Sequence, residues 1–178
     1  MKMLAAIFMA LCASAVHGEG LARILANDEV KLSSGVNSVS LKGMTVKVVK
    51  GYVGTLTAHS YDTYTSYAVA DKSDGTWLQI PVDLPDGSMP DFRTVESADS
   101  TVQAIAMYKV DNALFAVQVT KEGNSPPDLY LKPTKVAFRV YRFNGNLDVA
   151  RFKLERSFSS KASYMNAGDA IAAEFFSR

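Results

Sequence analysis

The sequence predicts a mainly β fold: an antiparallel β-sandwich, or an open barrel, with short helices at its N- and C-terminal ends. Three observations predict it. Strand-length runs of β-branched and aromatic residues recur from Val36 onward, punctuated by Gly, Asn and Asp. Two pairs of those runs close into hairpins whose registers gather apolar residues on one face. No internal repeat, low-complexity stretch or linker interrupts the chain, so residues 19–178 read as a single domain.

The chain opens with a leader rather than with fold. Lys2 supplies a charged start, and Met3 to Ala13 is an apolar stretch too short to span a bilayer. Ala13-Ser14-Ala15 offers the small residues a signal peptidase reads. Residues 1–18 are therefore expected to be a signal peptide, cut after Ala15 or near Gly18, which exports the protein without a membrane span. Cys12 follows Leu11 rather than a small residue, which argues against lipidation. It is the only cysteine and leaves with the leader, so burial and hydrogen bonds must hold the mature chain. At about 160 residues that is feasible, because roughly two thirds of the chain's surface is buried on folding.

Residues 19–29 (EGLARILANDE) predict a short helix with Leu21, Ile24 and Leu25 on one side. Strands follow at Val36–Leu41 and Met44–Lys50, with Gly43 and Gly51 as punctuation. Tyr61–Ala70 and Thr76–Val82 are the next two, joined by a turn at Asp74-Gly75. Pro81 to Pro90 (PVDLPDGSMP) predicts a long ordered loop that crosses between sheets. Gln103–Thr120 folds back at Asp111-Asn112, pairing Val110 with Ala113, Tyr108 with Phe115 and Ala106 with Val117. One face of that hairpin is then wholly apolar, and Lys109 and Gln118 fall on the other.

Glu122 to Pro133 (EGNSPPDLYLKP) places prolines on both sides of DLYL, which reads as one short strand between stiffened ends. The second hairpin, Lys135 to Glu155, turns at Asn144-Gly145-Asn146. A two-residue turn would oppose Phe138 to Arg151 and mix apolar with charged residues on one face. A three-residue loop instead pairs Val136 with Leu154, Phe138 with Phe152, Val140 with Ala150 and Arg142 with Asp148. Burying three apolar pairs, at about 1.5–3 kcal/mol per large side chain, outweighs the repulsion between Arg139 and Arg151. Asn146 supplies the left-handed position this loop requires. Tyr164–Phe176 predicts a closing helix, capped by Asn166, with Ile171 and Phe175 on one face.

Composition removes several function classes. The formal charge is +1 with no basic run, which disfavours nucleic-acid binding. After the leader and His17, one histidine remains, His59, so a thiolate or multi-histidine metal site is not available. His59, Ser60 and Asp62 sit on adjacent strand positions that point to opposite faces and cannot converge as a triad. No serine has Lys three residues on, the spacing of serine β-lactamases. No pair of acids stands out as a glycosidase couple, and the protein is expected not to be an enzyme.

Four sets of residues remain as binding candidates. Asp83, Asp86, Asp91, Glu96 and Asp99 fall within seventeen residues, opposed only by Arg93. Glu96 and Asp99 are the candidate ligands there for a divalent cation such as calcium, although EF-hand spacing is missing and a solvated acidic loop is the simpler reading. No other cofactor is expected. Tyr61, Tyr64, Tyr67 and Trp77 could line a groove, though on strands such residues more often pack a core. Arg139, Arg142 and Arg151 are suited to grip a ligand carboxylate, with a solvated basic strand face as the alternative. Asp128 and Tyr130 present a polar edge to a partner, or serve only to pack a rigid loop.

Three strings carry a resemblance. TVESADS (Thr94–Ser100), LFAVQVTKEGNSPPDLYLKPTKVAFRVYRFNGNLDV (Leu114–Val149) and AGDAIAAEFF (Ala167–Phe176) resemble the carbapenem intrinsic resistance family of the CarG type. The resemblance implies a β-sandwich with short terminal helices. It also implies a periplasmic protein that protects its host from a carbapenem β-lactam by binding or shielding, without a recognised β-lactamase mechanism. That family fold is similar to periplasmic inhibitors of invertebrate-type lysozyme, which carry a Ser-Gly-x-x-Tyr loop. Here Ser34-Gly35 is followed by Val36, Asn37 and Ser38, so the tyrosine is absent. The alternatives to carbapenem protection are such an inhibitor, or an envelope binding module with another protein partner. A homodimer is left open.

Overall fold

The computed structural model describes residues 23–71, 75–84, 87–123 and 125–177. The predicted signal peptide, the start of the first predicted helix and Asp74 of the predicted turn lie outside the described residues. Two sheets stack face to face. The first holds five strands: β1 (Gly35–Leu41), β2 (Met44–Val53), β3 (Tyr61–Ala70), β4 (Leu78–Ile80) and β7 (Phe92–Arg93). The second holds seven: β5 (Val82–Leu84), β6 (Gly87–Met89), β8 (Val95–Glu96), β9 (Thr101–Val110), β10 (Ala113–Lys121), β11 (Val136–Asn144) and β12 (Arg151–Ser159). Its spatial order is β6-β5-β12-β11-β10-β9-β8, and every pairing is antiparallel except β5 with β12.

The first sheet alternates as a half-buried sheet should. Val39, Val46, Val48, Tyr64, Ala68 and Ile80 face inward, against Met107, Leu114, Ala116, Tyr141, Phe143 and Phe152 of the second. The second sheet is buried on its other face too. There Phe115, Val117, Val119, Val136, Phe138 and Val140 pack on Ala167, Ala170 and Phe175 of the C-terminal segment. The protein is thus a sandwich with a third, helical layer, and its central strands read as nearly continuous apolar runs.

The first hairpin has the predicted register: Val110 opposes Ala113, Tyr108 opposes Phe115 and Ala106 opposes Val117. Asp111 takes a φ of 50° in its two-residue turn. Asn112 beside it accepts from the Lys42 N–H through its side-chain oxygen, pinning this tip to the β1–β2 turn of the other sheet.

The second hairpin departs from its prediction. Phe138 opposes Phe158, not Phe152, and Phe152 opposes Phe143. A six-residue connection replaces the three-residue loop and contains a 3-10 turn, Leu147–Val149. Asn146 is not left-handed: at φ −71° it accepts the Asp148 N–H through its side chain, at 3.1 Å. An extra residue on β12, Glu155, between Arg156 opposite Val140 and Leu154 opposite Tyr141, turns Phe152 to the inter-sheet core beside Phe143 while Phe138 and Phe158 serve the outer one. Counting one apolar face missed this, because both faces of this sheet are buried.

Other boundaries also move. The N-terminal helix is, in its described part, a single 3-10 turn at Ala26–Asp28. The Asp28 carboxylate accepts from Leu25 N–H at 2.7 Å, and Val30 then donates to the Met107 carbonyl, so the chain joins the sheet edge instead of continuing a helix. Gly51 lies within β2 rather than ending it. Thr76–Val82 is not one strand. β4 ends at Ile80, and the chain crosses between sheets at Pro81, entering a short β5–β6 hairpin in place of the long loop. The closing helix shortens to α2 (Asp169–Glu174) with a 3-10 extension, Phe175–Ser177.

Candidate functional site

DLYL is a helical turn, α1 (Asp128–Leu131), not a strand. Pro127 precedes it in the α region, and its carbonyl accepts from Leu131 N–H at 3.2 Å. Prolines at the entry of a helix lose nothing, since the first N–H groups have no intrahelical partner. Lys132 closes the turn by pairing with Asp128 at 2.7 Å across one helical step.

Around α1 the fold gathers residues from three distant stretches. The Ser100 hydroxyl donates to the Tyr130 carbonyl at 2.8 Å. Lys121, only 4% exposed, donates from Nζ to the Lys132 carbonyl at 2.9 Å and lies 3.5 Å from Ser100 Oγ. Burial pulls the Lys121 ammonium below the ordinary lysine range. The His59 ring leans on the Tyr130 ring at a centroid distance of 5.8 Å, and its Nδ1 sits 3.2 Å from the Glu96 carbonyl. Glu96 accepts from the Thr101 hydroxyl at 2.8 Å. Asp99 is exposed in the turn before β9. Two sequence candidates named separately, Glu96/Asp99 and Asp128/Tyr130, therefore share one end of the molecule.

The rest of the acidic stretch does not join them. Asp83 pairs with Arg151 at 3.2 Å and Asp91 with Arg93 at 2.8 Å, while Asp86 lies outside the described residues. Among the described residues no group of three or more His, Cys, Asp or Glu side chains is placed to hold a metal ion. His59, Ser60 and Asp62 point to different partners: Ser60 Oγ accepts from Thr55 N–H, and Asp62 pairs with Lys50 at 3.2 Å. Burial pulls Lys50 down, but its hydrogen bond to Asp62 and the field of Tyr64 and Asp62 more than offset this, leaving it above the usual value.

Arg142 lies elsewhere, in a shallow groove of about 430 Å³ lined by Arg142, Asn144, Lys153, Leu154 and Glu155. β11 and β12 place Arg142 directly opposite Lys153. The Arg142 guanidinium stands 4.0 Å from Glu155 and 6.0 Å from the Phe115 ring centroid. Two cations against one carboxylate, with one amide and one aliphatic wall, suit a small carboxylate-bearing molecule with an apolar body. Arg139 is exposed, three residues away on a regular strand, and so on the opposite face. The aromatic set also divides. Tyr64 is core, whereas Tyr61, Tyr67 and Trp77 occupy the outer face of the first sheet.

Sequence reasoning missed Ser100, Lys121, Lys153 and Glu155. Lys121 had a signal: it continues the Phe115, Val117, Val119 stripe of β10, so its stem had to be buried. Lys153 and Glu155 had none, because their place depends on the register of the second hairpin.

The architecture defines a class first: a two-sheet β-sandwich backed by a short C-terminal helix. Within that class, the crystal structure of CarG superposes with a TM-score of 0.66 at 23% identity, over 81% of this chain and 93% of that one. The fold is CarG-like. No protein-family model matches the chain, and no curated protein does.

Proposed function

We propose that this protein is an exported carbapenem-resistance protein that acts without turnover, by binding or shielding the drug. The observation that carries the reading is the CarG-like fold over most of both chains. The three strings that resemble the carbapenem intrinsic resistance family support it. The Arg142–Lys153 groove is the binding site we assign to the drug, because a carbapenem presents a carboxylate on a compact bicyclic body. Arg142 and Lys153 take that carboxylate, and Leu154 packs against the ring system.

The test has two arms. Cells exporting the protein should survive a several-fold higher carbapenem concentration than cells exporting Arg142→Ala with Lys153→Ala. The purified protein should be stabilised against heat by a carbapenem, by mass action on the native state, and the double variant should lose that shift. The drug's ring absorbance should persist on incubation with the pure protein. Ring loss at catalytic rates would reject action without turnover, and absence of protection would reject the assignment.

A further inference from the structure

The outer face of the first sheet carries chemistry that neither the groove nor the α1 cluster uses. At one end, Trp77 is 43% exposed and its ring packs on Tyr67 at 5.6 Å. Lys47, directly opposite Tyr67 across β2 and β3, holds its ammonium 6.0 Å from the Trp77 ring centroid. At the other end, the Arg93 guanidinium stands 5.7 Å from the Tyr61 ring centroid. The same unit, an aromatic ring with a cation beside it, thus occurs twice on one face. Tyr61 and Tyr67 are six residues apart on β3, which separates the units by roughly 20 Å along the strand. Thr63 and Thr65 place hydroxyl-bearing side chains on the same face between them.

Charge decides what fits. The charged side chains on the strands of this face, among the described residues, are Lys47 and Arg93, with Asp91 beside them. Lys47 donates to the Ser38 hydroxyl at 2.8 Å and makes no ion pair among the described residues. Asp91, at 12% exposure, takes the Nε of Arg93 and leaves the remaining guanidinium N–H groups without a partner among the described residues. At the Tyr61 end the carboxylates of Asp62 and Glu96 border the ring, but Asp62 is held by Lys50 at 3.2 Å and Glu96 by the Thr101 hydroxyl at 2.8 Å, so Lys47 and the outward N–H groups of Arg93 are the charged groups this face offers a ligand among the described residues.

We propose that this face is a binding platform for an anionic polysaccharide, a chain of sugar rings bearing carboxylates. Each aromatic ring takes the C–H face of a sugar ring, and the adjacent cation takes its carboxylate. The threonine hydroxyls meet sugar hydroxyls in between. A single small molecule would need one such unit. Two, spaced along one strand, fit a polymer that repeats its charge.

Trp77 is the chain's single tryptophan, so its fluorescence reports on this face directly. The full chain is titrated with alginate, a linear polyuronate, and with neutral dextran, alongside electrophoresis through gels holding each polymer. Alginate is expected to shift Trp77 emission and retard the protein, less so as salt rises, and dextran to do neither. Lys47→Gln and Tyr67→Ala should each weaken alginate binding by about threefold or more, while Lys109→Ala, on β9 of the other sheet, keeps it. Thermal melts of the variants confirm that they fold. The proposal falls if alginate leaves both readouts unchanged, if dextran binds as tightly, or if folded Lys47→Gln binds alginate with undiminished affinity.

Discussion

Glu174→Ala should cost about 3–5 kcal/mol, a large part of the stability of a domain this size. Glu174 is the last residue of α2 and is only 9% exposed. Its carboxylate faces the chain that leaves β12. Oε1 accepts from Lys161 N–H at 3.0 Å and Ala162 N–H at 2.8 Å, and Oε2 accepts from Lys161 N–H at 2.8 Å. The Tyr164 hydroxyl also donates to Oε1, at 2.9 Å. A buried carboxylate is tolerated only when such donors replace its water. Each hydrogen bond to a charged group is worth about 1.5–3 kcal/mol net, so the two backbone donors set the scale, before any relaxation that lets water reach them.

Glu174→Gln separates charge from shape. It keeps one acceptor oxygen but turns an amide N–H₂ toward backbone N–H groups, so about half the loss is expected. The assay is urea unfolding followed by far-UV circular dichroism, with a thermal melt in parallel. A 3–5 kcal/mol loss lowers the melting temperature by about 6–20 °C in a chain of this length. If Glu174→Ala unfolds within about 1 kcal/mol of the parent, the carboxylate does not hold the C-terminal layer, and this reasoning is wrong.

Three further outcomes follow from buried polar groups. Ser66 is 1% exposed, and its hydroxyl has no hydrogen-bond partner among the described residues, so Ser66→Ala should raise the unfolding free energy by about 1 kcal/mol at unchanged urea dependence. A loss of stability would show that the hydroxyl is satisfied. Burial, helped by the charge of Glu29, pushes the Tyr108 phenol above its ordinary 10.0. The unfolded phenol ionises first, so the contribution of Tyr108 is whole below pH 10 and is lost as pH climbs through the folded value; Tyr108→Phe should move alkaline unfolding to higher pH, and an unmoved midpoint would count against it. Lys121 has the opposite sense. Its folded value is below 10.5, so the cost of burying the ammonium is full below that folded value and is relieved as pH rises toward 10.5. Lys121→Met should flatten that rise in urea-unfolding stability, and an unchanged slope would exclude burial as its cause.

How much of this was legible depended on whether local pattern or distant packing set each feature. β1 to β3 and the first hairpin follow from residues close in sequence: β-branched runs, and a turn whose register one apolar face fixes. The second hairpin does not. Its register serves two cores at once, and the outer one is built by Ala167, Ala170 and Phe175, which no reading of residues 135–155 contains. DLYL failed for a related reason. Prolines forbid a strand interior and a helix interior alike, so they marked a boundary without deciding what lay between. The Lys121 and Ser100 bonds to Lys132 and Tyr130 show how the rest of the fold holds that segment as a turn. Arg142 was found by its chemistry, but its partners Lys153 and Glu155 came only with the register.

The three strings that resemble the carbapenem-resistance family are bonded to one another. Ser100 of the first holds Tyr130 of the second. Thr134 of the second exchanges backbone hydrogen bonds with Tyr164, which donates to Glu174 of the third. Ala167 of the third donates to the Thr101 carbonyl, next to the first, at 2.8 Å, and Thr101 N–H donates to Asn166 Oδ1 at 3.1 Å. The first two strings are thus bonded directly, and the third is tied to them through Tyr164 and Thr101. A likeness in these strings is therefore a likeness of frame, and the fold match is what such a frame should give. The groove proposed above takes its side chains from inside and outside this frame. Lys153 and Glu155 lie outside the strings and face Arg142, which lies inside one, so the groove joins one residue of the strings to two beyond them.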